Sequence, residues 1–67
     1  MTKYRINVGR IKAEMAKKGM SIESAAEEIG ITQNRFSTIL SEGKCAAFTL
    51  GKIARVLGVQ AWELVEK

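Results

Sequence analysis

Two short amphipathic segments with a glycine between them, residues 21–40, leave this chain few folds to choose from. Ser21 can cap a first helix, and Glu23 stands in its first turn, where the helix dipole favours negative charge. Ala25, Ala26 and Ile29 make the apolar face of that helix. Gly30 follows, suited to the left-handed conformation that ends helices. Thr32 can then cap a second helix whose apolar stripe is Phe36, Ile39 and Leu40, at i, i+3 and i+4. The pattern predicts helix, sharp turn, helix.

The rest of the chain reads as helical too, giving an all-α fold of five helices and no strand. A first helix is expected from about residue 3 to Lys18, with Tyr4, Val8, Ile11 and Met15 on one stripe and Gly19 as its stop. Gly9 within it costs about 1 kcal/mol relative to alanine, which implies close packing or an early helix boundary. The hairpin helices cover roughly 22–29 and 33–41, and Gly43 and Lys44 open a loop. A fourth helix runs from Ala46 or Ala47 to Leu57, with Leu50, Ile53, Ala54 and Leu57 inward and Gly58 as its stop. A short fifth, Gln60 to about Val65, brings Leu64 and Trp62 against the others. The absence of proline and the short connections suit a small helical bundle.

Composition narrows the function classes. Sixty-seven residues are expected to form a single domain, 1–67. No apolar run approaches the roughly 18 residues of a membrane span, and no signal-peptide pattern opens the chain. A lone cysteine, Cys45, and no histidine exclude metal sites built from those residues, and no cofactor is expected. A cytoplasmic location follows as the simplest expectation. With no histidine and no nucleophile–base pairing, catalysis has little to work with. The net charge of +4 is uneven: Lys3, Arg5, Arg10, Lys12, Lys17 and Lys18 stand against a single Glu14 before residue 21, whereas Glu23, Glu27 and Glu28 follow close together. A basic first segment suits phosphate contact, with the acidic patch turned away.

Beside its buried stripe, the second hairpin helix leaves Gln33, Asn34, Arg35, Ser37 and Thr38 outward. Gln, Asn and Arg are the side chains that pair in bidentate fashion with base edges in the major groove. Further pieces are Arg10-Ile11-Lys12, Lys18-Gly19-Met20-Ser21, Gly30-Ile31-Thr32-Gln33, Gly43-Lys44, Thr49-Leu50, Lys52-Ile53-Ala54, Leu57-Gly58-Val59 and Glu63-Leu64. In their order and spacing the chain resembles the Cro/repressor class of phage and bacterial helix-turn-helix proteins, from Arg10 to Leu64. The resemblance implies a lambda repressor-like five-helix bundle with its helix-turn-helix at about 21–41.

The resemblance also implies roles. Gln33, Asn34, Arg35 and Thr38 would contact bases. Ser21, Thr32, Ser37, Lys44 and the backbone at Ile22 would contact phosphates, Ser21 and Thr32 while also capping their helices. Arg10 and Lys12 would remain surface charges, and Cys45 a small loop residue. Trp62 would either cap the core or, with Val59, form a dimer interface. The chain departs from the family at three points. Met15 and Leu40 stand where an arginine–glutamate pair is common, so an apolar contact replaces a buried ion pair. Ile22 stands in place of a phosphate-touching glutamine, which leaves only backbone N–H groups there. One extra residue separates Ile39 from Gly43, closer to the lambda Cro spacing. The implied function is a repressor that binds a palindromic operator in double-stranded DNA as a homodimer. Rival readings are the antitoxin of a toxin–antitoxin pair, favoured by an exposed patch including Trp62 and Val65, and a protein-binding adaptor that has lost DNA binding.

Overall fold

The computed structural model describes residues 3–66. Strand β1 (Lys3–Arg5) leads into α1 (Val8–Lys17), α2 (Ile22–Ile29) and α3 (Gln33–Glu42). Strand β2 (Lys44–Ala46) and α4 (Ala47–Leu57) follow, and a single 3-10 turn, Ala61–Leu64, closes the described chain.

The fold is mostly helical, with four α-helices where the apolar spacing put them, and two short strands correct the expectation of no strand. β1 and β2 pair antiparallel, with Lys3 opposite Ala46, Tyr4 opposite Cys45 and Arg5 opposite Lys44. The first helix therefore begins at Val8 and not at residue 3. Asn7 explains the boundary: its Oδ1 accepts the Arg10 N–H at 3.0 Å, capping α1. Gly9 consequently falls in the first turn, where its helix penalty is small. Tyr4 leaves the α1 stripe and is 43% exposed. Lys44 and Cys45 lie in a strand and not a loop, and Cys45 is buried. The fifth helix shrinks to one 3-10 turn, of which Leu64 alone is fully buried.

One apolar core unites these elements. Phe36, Ile11, Ile53 and Leu64 are its largest fully buried side chains, from α3, α1, α4 and the 3-10 turn in that order. Met15 and Leu40 are both buried in this core. Ala25 and Ala26 are 1% exposed, which lets α2 pack closely against its neighbours, α3 and α4. The carboxylate of Glu14 is also buried, and Arg10 Nε donates to it at 3.0 Å. Arg10 reaches further, from Nη2 to Glu63 at 3.1 Å, and so ties α1 to the 3-10 turn. It is thus a brace between α1 and the 3-10 turn as well as the surface charge expected, its side chain being 38% exposed.

The two ends of the described segment meet at β1. The Asn7 N–H donates to the Leu64 carbonyl at 2.7 Å, and the Glu66 N–H donates to that of Arg5 at 2.9 Å. Ile6 and Val65 form an isolated antiparallel bridge between them. On the other side of the strand, the Ile6 N–H donates to the Gly43 carbonyl at 2.9 Å.

Candidate nucleic-acid interface

The α2–α3 hairpin is built by local chemistry. Ser21 and Ser24 form a reciprocal capping box: the Ser24 N–H donates to Ser21 Oγ at 3.1 Å, and the Ser21 N–H donates to Ser24 Oγ at 2.9 Å. Gly30 ends α2 at φ 93°, a left-handed conformation that residues with a Cβ rarely adopt. There the N–H groups of Gly30 and Ile31 both donate to the Ala26 carbonyl, at 2.9 and 3.0 Å. Thr32 Oγ1 accepts the Arg35 N–H at 3.1 Å and starts α3 within two residues of the turn. The hairpin is thus closed at both helix ends by hydrogen bonds before any long-range packing is counted.

α3 buries Phe36, Ile39 and Leu40 and exposes Gln33, Asn34, Arg35, Ser37 and Thr38. Every side chain expected to read bases is therefore on the solvent side of one helix. At about 100° per residue, Asn34 and Thr38 fall opposite the buried stripe, while Gln33 and Arg35 flank them. The Thr38 hydroxyl donates to the Asn34 carbonyl at 3.0 Å. Its proton is committed, so Thr38 offers outward only oxygen lone pairs and a methyl group. Those suit an amino group on a base edge or the methyl of thymine. Ser41 and Glu42 continue the exposed face, and Glu42 gives the end of α3 a negative charge.

The residues expected at the phosphates are distributed around this helix. Ser21 and Thr32 are exposed caps, and each hydroxyl retains hydrogen-bonding capacity beyond its cap bond. Ile22 is half-buried against the core, so its backbone N–H, not its side chain, is the polar group at the start of α2. Ser37 is exposed on α3. Lys44 is exposed on β2, the strand that follows α3 directly. Neither Arg35 nor Lys44 has an ion-pair partner among the described residues. Glu23, Glu27 and Glu28 are exposed, on the side of α2 away from Ala25, Ala26 and Ile29.

The strand pairing adds a feature that helical periodicity conceals. A cleft of about 250 Å³ opens between α3 and the two-stranded ribbon, lined by Lys3, Arg35, Thr38, Glu42 and Lys44, with Ile39 and Cys45 among its apolar lining. Burial pushes the Cys45 thiol above its ordinary value, against the opposing fields of Lys3 and Arg35.

Trp62 and Val59 separate. Trp62 is 74% exposed, which removes the core-capping alternative, whereas Val59 is half-buried against the core, as is Val65, which therefore does not join Trp62 in the exposed patch expected. Phe48, equally exposed at 74%, was not singled out by sequence reasoning. Lys52 Nζ lies 4.6 Å from its ring centroid, a cation–π contact between neighbouring turns of α4. An apolar residue falling outside the buried stripe of α4 is the signal that could have found it.

Residues 10–66 match the family of Cro/C1-type HTH DNA-binding domains. No curated protein and no solved structure shows a significant match. The family match begins after β1. Among the described residues, no helix is long and apolar enough to cross a membrane.

Proposed function

Because the chain belongs to the Cro/C1-type helix-turn-helix DNA-binding family, we propose that it is a sequence-specific transcriptional repressor acting as a homodimer on a palindromic operator. α3 lies in the major groove in this reading. Asn34, Thr38 and Gln33 meet base edges, and Arg35 reaches a guanine from the flank of the helix. Ser21, Thr32, Ser37, Lys44 and the N–H groups at the start of α2 hold phosphates and fix the register. One domain of this size makes few base contacts, so two copies one helical turn apart supply the specificity. Repression follows from occupying DNA that polymerase needs.

The observation carrying this reading is the outward face of α3, where amide, hydroxyl and guanidinium side chains gather with no apolar residue among them. A face that served only solubility would have no need of paired amides at its leading turn. Footprinting on the DNA flanking its own gene tests it: an inverted repeat should be protected. Equal affinity for all sequences at every salt concentration would remove the sequence-specific reading.

The exposure of Phe48 and Trp62 favours a second reading, the antitoxin of a toxin–antitoxin pair that also regulates its own operon. There the aromatic side chains meet the partner protein. Co-expression with the neighbouring gene product separates the two, since a repressor alone purifies without it.

A further inference from the structure

Lys3 lies outside the residues matched by the family, yet the ribbon carries it to the recognition helix. β1 places Lys3 opposite Ala46 and diagonal to Lys44. Diagonal neighbours on one face of an antiparallel pair stand roughly 7–8 Å apart. Cys45, between Lys44 and Ala46, points into the core, so its neighbours point the opposite way; Lys3 shares that outer face with Lys44 and with Arg5, which stands directly opposite Lys44 but pairs with Glu66 and does not line the cleft. Lys3, Lys44 and Arg35 all line the cleft beside Thr38, with Glu42 as the single acid in its lining.

We propose that this cleft is a phosphate site for the DNA backbone, in which Lys3 of β1 and Lys44 of β2 each grip one of two neighbouring phosphates alongside the base-reading face of α3. The proposal rests on the DNA-binding reading above and adds a segment that the helix-turn-helix itself does not supply. Two ammonium groups on a rigid ribbon suit phosphates as point charges, needing no fixed fork geometry. In the free protein Lys3 pairs with Glu42 at 3.9 Å, and both side chains are about half exposed, 54% and 47%. A pair so long and so wet is worth little, so exchange of the carboxylate for a phosphate oxygen is easy. Glu42 stands beside Lys3 at the rim of the cleft, and its charge weakens binding to every sequence equally.

The experiment measures affinity against salt for two duplexes. One is enriched by the protein from a random-sequence pool, and the other is a scrambled duplex of equal length. Lys3→Gln should lower the slope of log affinity against log salt by about 0.9 per bound protomer on both duplexes, with the preferred bases unchanged. Lys3→Arg should restore the slope, and Glu42→Gln should tighten binding to both. A wild-type slope in Lys3→Gln, with the enriched duplex still preferred, overturns the phosphate site and leaves the regulator reading standing. Equal binding of both duplexes by the wild-type protein overturns the sequence-specific reading, while the slope difference still decides the site.

Discussion

Asn34 and Thr38 show how much one hydrogen bond determines at the scale of a residue. Because the Thr38 proton goes to the Asn34 carbonyl, the two side chains present different chemistry from adjacent turns: an amide that gives and accepts, and an oxygen that accepts. Asn34→Ala or Gln33→Ala should cost about 1–3 kcal/mol in operator binding and relax preference at particular bases, as a competition assay with single-base variants will read. The identities of these side chains were legible in the sequence because they fall off the Phe36, Ile39 and Leu40 stripe. Arg10 was not legible. Its partner Glu63 is 53 residues away, and only the folded chain brings the two to 3.1 Å. The backbone N–H of Gln60 and then the Arg10 guanidinium hold the Glu63 carboxyl below its ordinary value of 4.5. A carboxyl lowered on folding stabilises the fold above its unfolded value, and that contribution is lost as pH falls through the folded value. Thermal melts of wild type and Glu63→Gln should therefore differ at neutral pH and converge progressively below pH 4.5.

At the scale of elements, caps and glycines carry the helix-turn-helix. Nothing lies within 4 Å of a Cβ built at Gly30, so Gly30→Ala tests backbone conformation without steric conflict. It should cost about 1–2 kcal/mol in a chemical denaturation experiment, and Gly30→Asn should cost less. Such stops and starts were readable because their chemistry is local: Ser21, Gly30 and Thr32 act within a few residues of themselves. β1 was concealed for the opposite reason. Tyr4, Val8, Ile11 and Met15 fit a helical stripe, while Lys3 to Ile6 also alternate polar with apolar, and a stretch so short satisfies both periods. What decides between them is pairing with residues 44–46, together with the Asn7 cap, and the pairing is invisible to periodicity. The cleft beside α3 stayed hidden with it.

Across the whole molecule, the outward aromatics are the feature that most needs a partner. Trp62 is the single tryptophan and is 74% exposed, so its emission reports directly on whatever covers it. If it lies in the dimer interface, emission should move to shorter wavelength as protein concentration rises, and Trp62→Ala should dissociate the dimer in sedimentation. Constant emission through a monomer–dimer transition would take Trp62 out of that interface. The way β1 is held also has a consequence for synthesis. It is gripped from one side by residues 43–46 and from the other by residues 64–66. A chain that emerges from the ribosome N-terminus first carries this strand unpaired until residues 44–46 follow it, and held along one edge only until residues 64–66 arrive. The α2–α3 hairpin has no such wait, because its caps and its turn all lie within residues 21–42, so the strand beside it, and Lys3 with it, is the later of the two to be fixed.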